Sequence, residues 1–155
     1  MLYDEIGKCI ICGVQWPKPL CTMHAKYFRF VRKYGFYALK PHKKVSHPQD
    51  ALYKNIKAVF RKPTFQEVIF EWNLFRRYDI VIPDLKLEIE YDGEQHFKFN
   101  KHFYHDKEDF KHSQEIDSIK EAAIRGNGYS VIRFSCIEDV DSREYVRKKL
   151  KLKGF

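Results

Sequence analysis

The stretch Arg76 to Phe97, RRYDIVIPDLKLEIEYDGEQHF, constrains the fold more tightly than any other part of the chain. Ile80 and Ile82, then Leu85, Leu87, Ile89 and Tyr91, alternate with Asp79, Val81, Lys86, Glu88, Glu90 and Asp92, the period-two pattern of half-buried strands. A hairpin turning at Asp84-Leu85 sets Ile80 against Ile89, Ile82 against Leu87 and Asp79 against Glu90, which keeps one face apolar across the ladder. Two carboxylates then stand side by side. Like charges in contact call for a compensating cation, and a hard divalent ion with oxygen ligands is the natural one. The competing reading is a solvated strand face, which accounts for Lys86 and Glu88 but less well for Asp79 inside an aliphatic run.

The string IEYDGEQHF at Ile89 to Phe97, preceded by Arg77-x-Asp79-Ile80, resembles the very-short-patch-repair-like (Vsr-like) branch of the PD-(D/E)xK nucleases, which includes the EDxHD homing endonucleases. The resemblance spans roughly Ser46 to Ser135. It implies an α/β (α+β), restriction-endonuclease-like fold with a central mixed sheet flanked by helices. It also implies Mg2+- or Mn2+-dependent hydrolysis of phosphodiester bonds in duplex DNA, leaving a 5'-phosphate and a 3'-hydroxyl. On that reading Asp79, Glu90, the main-chain carbonyl of Tyr91 and Asp92 hold the metal, His96 is general base or acid, and Gln95 orients water or phosphate. The family's Gln-x-x-Asp-x-x-Lys falls on Gln114, Asp117 and Lys120, which brings Asp117 to the active site with Lys120 one turn beyond. Two positions depart from the pattern. The superfamily's third-motif lysine is Asp92 here, so that His96 or an additional metal has to replace it. The first-helix Ser-x-x-Glu reads Ser46-x-x-Gln49, with Asp50 beside it as an ordinary first-turn acid.

Near the N-terminus, Cys9-x2-Cys12-x8-Cys21-x2-His24 supplies two short chelating pairs across a loop, the ligand set of a closed, structural Zn2+ site. Disulfides compete for the same residues, but only four cysteines exist, the fourth being the distant Cys136. A module of this size has too little core to fold unaided, so the metal has to contribute its folding energy. Next comes AKYFRFVRKYGFYALKPHKK, where Lys26, Arg29, Arg32, Lys33, Lys43 and Lys44 interleave with aromatics, a pattern suited to DNA backbone contact. Its first half is expected to be a short helix ending at Gly35. The net charge of +8 is uneven: Met1 to Lys62 carries 13 Lys and Arg against 3 acids, the remainder 16 against 18. The division expected is 1–45, zinc finger and basic DNA-binding segment, and 46–155, nuclease domain.

No run of 18 apolar residues and no charged-then-apolar leader occurs, so the expectation is a cytoplasmic, DNA-associated protein, neither membrane-bound nor secreted. A helix is expected from Ser46 with Leu52, Ile56, Val59 and Phe60 inward, then a strand over Thr64 to Phe75 with Glu67 on its polar side, either joining the acidic site or solvated. Phe97 to Asp109 reads as an aromatic and basic loop that either inserts into a groove or covers the scissile phosphate, or is a surface loop anchored by Phe99 and Phe103. A helix follows over Phe110 to Arg125, turning Phe110, Ile116, Ile119 and Ala123 to the core and Gln114, Asp117, Lys120 and Glu121 to another face. YSVIRF is a core strand, and a last helix from Asp141 ends in a basic tail. Double-strand cutting with one site per chain points to a homodimer or sequential nicks. The competing functions are a noncatalytic zinc-dependent nucleic-acid binder whose acids pair with its own cations, and a structure-specific mismatch or junction nickase.

Overall fold

A computed structural model of the chain describes residues 7–43 and 45–155. Strands β1 (Phe28–Val31), β2 (Phe36–Leu39), β3 (Phe65–Phe70), β4 (Tyr78–Ile82), β5 (Leu87–Asp92) and β6 (Ser130–Ser135) form one sheet in the order β1-β2-β3-β4-β5-β6. Neighbours are antiparallel except β5 and β6, which run parallel. A parallel pair needs a crossover. The crossover contains α2 (Lys107–Gly126), while α1 (His47–Phe60) precedes β3 and α3 (Arg143–Leu152) follows β6. The expected mixed α+β architecture with a central mixed sheet is therefore present.

The hairpin register is the one the alternation requires. Ile80 pairs with Ile89, Val81 with Glu88 and Ile82 with Leu87, although the connection is Pro83 to Lys86 rather than two residues. Lys86 closes it in the left-handed conformation at φ 49°. One face of the sheet carries Ile80, Ile82, Leu87, Ile89, Ile132 and Phe134, packed against Leu52 and Ile56 of α1 and Val146 and Leu150 of α3. The opposite face is also covered. Glu88, Glu90 and Asp92 are 1 %, 8 % and 5 % exposed, so the solvated-face reading of Glu88 is overturned.

What covers those acids is α2, and it does so with its polar stripe. Its Asp117, Lys120 and Glu121 reach side chains of the sheet or its exit, whereas Ile119 is 69 % exposed and only Ile124 is buried. Phe110, Ile116 and Ala123 are half-buried, so the expected apolar stripe of this helix is not its core face. Asp106 caps the helix, accepting from the Asp109 N–H at 2.8 Å.

Three further expectations are corrected. After His24 the chain makes one turn of 3-10 helix, His24–Lys26, and then β1 and β2, not a helix to Gly35; Gly35, at φ 71°, closes the hairpin between them. Phe28 and Val31 fit a helical spacing, but four residues fit a strand equally well, and pairing with β2 decides. The strand over Thr64 to Phe75 stops at Phe70, and Trp72 lies in a 3-10 turn. In the 97–106 loop Phe103 is exposed, and the rings that anchor it are Phe99 and Tyr104 against Phe110.

The N-terminal segment continues the sheet of the C-terminal one, because β2 pairs with β3 at Phe36 to Phe70 and Tyr37 to Ile69. Ile10, Phe28, Tyr37, Ile69 and Leu74 form a small apolar cluster beneath this junction.

Candidate functional site

The Cys and His ligand set converges. Nδ1 of His24 lies 3.5 Å from Sγ of Cys9 and 3.3 Å from Sγ of Cys21, and Sγ of Cys12 lies 4.0 Å from that of Cys21. All four ligand atoms fall within 4.8 Å of one another. A tetrahedral zinc with bonds of about 2.3 Å to sulfur and 2.0 to 2.1 Å to nitrogen requires separations of roughly 3.6 to 3.8 Å. The set therefore fits a metal ion such as zinc. A disulfide requires about 2.05 Å between sulfurs, and the cysteines are free. Burial opposes the Cys9 thiolate, but backbone N–H groups of Cys21, Cys12 and Ile11 outweigh it and bring the thiol down to about 6.

The second site is a cavity of about 510 Å³ where the end of β5 meets the start of α1 and the middle of α2. It is lined by Asp79, Glu90, Tyr91, Asp92, Gln95, His96, Asp117 and Lys120, together with Gln49 and Arg133. Every residue expected to be catalytic is thus brought together from three separate stretches of chain. Asp79 is oriented by the Tyr91 N–H, which donates to Oδ2 at 2.8 Å. Glu90 forms an ion pair with Lys120, whose ammonium also lies 4.8 Å from the centre of the Tyr78 ring. The Tyr78 hydroxyl donates back to the Lys120 carbonyl at 3.2 Å. Asp92 is held by Arg133 at 2.6 Å, and Arg133 also donates to Glu121 at 2.9 Å.

His96 sits on a 3-10 turn, Glu94–His96, directly after β5. Its Nδ1 is 2.9 Å from Asp117 Oδ2 and 3.9 Å from Asp92 Oδ1. The hydrogen bond to Asp117 raises the imidazole above its usual 6.5, against the opposing effect of burial, and the same bond holds the Asp117 carboxyl below its ordinary range. With Nδ1–H donated to Asp117, Nε2 is the nitrogen left for other chemistry. Gln95 is seated over Gly93, where a Cβ would meet the Gln95 side-chain amide, and the main-chain carbonyl of Gln95 accepts from the Tyr104 hydroxyl at 3.1 Å.

Charge accounting singles out the interior of the pocket. Asp92 is matched by Arg133, and Asp117 by His96. Asp79, Glu88 and Glu90 face a single cation, Lys120. Burial first, then the charge of Glu90, pushes the Asp79 and Glu88 carboxyls well above the ordinary carboxylate range. Burial opposes ionisation of Glu90 too, but Lys120 outweighs it and holds that carboxyl below its usual value. One Glu88 oxygen, Oε1, is buried with no hydrogen-bond partner. Burial therefore favours the protonated forms of Asp79 and Glu88, and the charge of Glu90 is met by Lys120; among the described residues, the group of three or more ligating side chains gathered within 4.8 Å is the N-terminal Cys and His set.

Asp50 pairs with Lys54 at 2.9 Å and does not line the pocket. Glu67, at a left-handed φ of 52°, accepts from Gln49 Nε2 at 2.9 Å and pairs with Arg77 at 3.2 Å, so it reaches the pocket only through Gln49. Of the basic residues, Lys26, Arg29, Arg32 and Lys33 are exposed on or beside the β1–β2 hairpin, while Lys43 lies over the Tyr27 ring at 4.6 Å. Lys44 lies outside the described residues. Arg133 escaped the sequence reading, although a lone cation within the apolar run YSVIRF was its signal.

No protein-family model matches the chain, and no solved structure matches it. Over 78 residues, 50 % of this chain, it is 36 % identical to uncharacterized protein 307L of Invertebrate iridescent virus 6. The match covers 39 % of that relative's length. Among the described residues no helix is long and apolar enough to cross a membrane.

Proposed function

We propose that the chain is a divalent-metal-dependent DNA endonuclease with a restriction-endonuclease-like core and an attached zinc knuckle. The observation that carries this reading is the gathering of Asp79, Glu90 and Asp92, with Lys120 against Glu90, in one cavity with an Asp117-oriented imidazole. Asp79 and Glu90 would hold the cation, with the Tyr91 carbonyl and Asp92 beside them. Mg2+ or Mn2+ bound there would polarise a phosphodiester and acidify a water.

The protein's own groups account for the remaining chemistry. Asp117 fixes the His96 tautomer, so that Nε2 can take a proton from the attacking water or return one to the leaving oxygen. Gln95, lodged against Gly93, would orient water or a phosphate oxygen. Lys120 lies against Glu90 and supplies a cation to the pocket that Asp92, at the third motif position, lacks. Lys26, Arg29, Arg32 and Lys33 would hold the duplex backbone by counterion release.

The test is cleavage of a randomised duplex library with Mg2+ or Mn2+, followed by mapping of both strands' ends. Cutting that leaves 5'-phosphates and disappears in Asp79→Ala and His96→Ala is the expected result. Undiminished cutting by Asp79→Ala contradicts the proposal. A second reading, a noncatalytic zinc-dependent nucleic-acid binder, is favoured by one observation: Lys120 already supplies Glu90 with a protein cation. Under that reading DNA is bound and never cut, and binding responds to zinc removal alone.

A further inference from the structure

The interior face of β5 carries an acid that the proposed chemistry does not use. Glu88 is 1 % exposed, and its Oε1 has no hydrogen-bond partner. It borders a closed crevice together with Tyr78, Glu90, Lys120, Glu121, Val131 and Arg133. Lys120, Glu90 and Arg133 line both this crevice and the open cavity, so the ammonium lies where the two adjoin. Its attachments are the Glu90 carboxylate and the Tyr78 ring, and the ammonium stands at the end of a four-carbon stem. A buried carboxylate oxygen left unbonded is destabilising unless some state of the protein pairs it. Of the cations around the crevice, Arg133 is already committed to Asp92 and Glu121, and Lys120 remains.

We infer that Glu88 is the alternative seat of the Lys120 ammonium: a divalent cation entering between Asp79 and Glu90 displaces Lys120 from Glu90, and Glu88 receives it. The inference rests on the reading of Asp79 and Glu90 as a cation site and assigns Glu88 as a positioning residue acting through Lys120. It gives the pocket a resident charge that keeps the acids together without metal and steps aside when metal arrives. Both arrangements seat the ammonium on one carboxyl group, Glu88 giving up to solvent any proton it carries, and the second also pairs the oxygen that the first leaves bare.

Mn2+ binding to the zinc-loaded full chain, followed by calorimetry and by the electron paramagnetic resonance of the free ion, provides a readout independent of activity. Lys120→Met removes the internal competitor and is expected to bind Mn2+ about tenfold more tightly or better. Glu88→Gln removes the receiving seat while keeping its shape, and is expected to bind about tenfold more weakly. In the double variant the Glu88→Gln effect disappears, because Glu88 matters only while Lys120 is present. A Glu88→Gln effect of the same size with and without Lys120 overturns the inference, as does weaker binding by Lys120→Met. The unaltered chain carries a second measurement, independent of whether Lys120→Met folds. With 15N-lysine labelling, the Lys120 Nζ resonance, identified by its absence in Lys120→Arg, should shift on Mg2+ addition, and the shift should be lost in Glu88→Gln. An Nζ resonance indifferent to Mg2+ in a chain that binds it overturns the exchange alone. Absence of Mn2+ binding in every variant overturns the cation site with it.

Discussion

His96 and Asp117 form a pair whose two ionisations support each other, and the consequence is a stability window. Asp117 raises the His96 imidazole above 6.5, so the stabilisation tied to the imidazolium is complete below that value and is lost as pH rises through the elevated one. The Asp117 carboxyl is depressed below 3.8, so its contribution is present above 3.8 and is lost as pH falls through the depressed value. The pair is therefore intact between about 4 and 6.5. Replacing Asp117 with Asn should lower the pH at which the His96 ring titrates, read from its imidazole proton resonance. An unchanged midpoint would place the ring's main partner elsewhere. The neighbouring Asp79 and Glu90 were legible in the sequence because a strand has a fixed period of two, and the apolar residues around them set the register. Lys120 was placed only by the family's helix spacing, without its partner Glu90, and Arg133 not at all, since their partners lie on other elements.

At the scale of elements, the unusual packing is polar on polar. The stripe Asp117, Lys120 and Glu121 on α2 lies over Glu88, Glu90, Asp92 and Arg133 on β5 and β6. Sequence periodicity assigns a helix its core by its apolar stripe. That rule points to Ile116 and Ile119 here and is misled, because the sheet below this helix is itself charged. Hydrogen-bonded ion pairs occupy much of the place that aliphatic contacts hold beneath α1 and α3, with Ile124 alone of the helix buried in the apolar cluster of Tyr78, Val81 and Tyr129. Arg133→Ala tests their weight. It strands Asp92, 5 % exposed, without its guanidinium and frees Glu121 from one of its two arginines. Removing one partner of a fully buried pair costs about 3 to 5 kcal/mol, and because the Arg133 side chain is 34 % exposed about 2 to 4 kcal/mol is expected after allowance for solvent screening. Urea denaturation measures it, and a change below about 0.5 kcal/mol would reduce the network to surface decoration.

In the molecule as a whole, the Cys and His cluster does more than close a small finger. The β1–β2 hairpin lies along the β3 edge of the sheet, and Ile10 and Phe28 reach down to Ile69 and Leu74. Removing a metal held by the four Cys and His ligands should therefore loosen the sheet edge as well as the knuckle. Chelation, or Cys21→Ser, is expected to accelerate amide exchange at Ile69 and Phe70, whose partners are Tyr37 and Phe36, while Ile80, Ile82 and Ile89 remain protected. Uniform protection before and after chelation would mean that the edge is held without metal. An exposed strand edge also invites pairing with another chain, so aggregation should accompany the loss. The ligand spacing was legible in the sequence because chelation acts over short loops. The hairpin beyond it was not, because four-residue strands depend on a partner from further along the chain.

Whether the Asp79 and Glu90 pocket takes a divalent cation decides between a nuclease and a mere binder, and calorimetric titration of the zinc-loaded chain with Mn2+ measures this most directly. Binding distinct from the zinc site, abolished by Asp79→Asn with the zinc content unchanged, is the predicted result. Absence of that binding, or its persistence undiminished in Asp79→Asn, would contradict the account and leave Lys120 as the only cation these acids were built around.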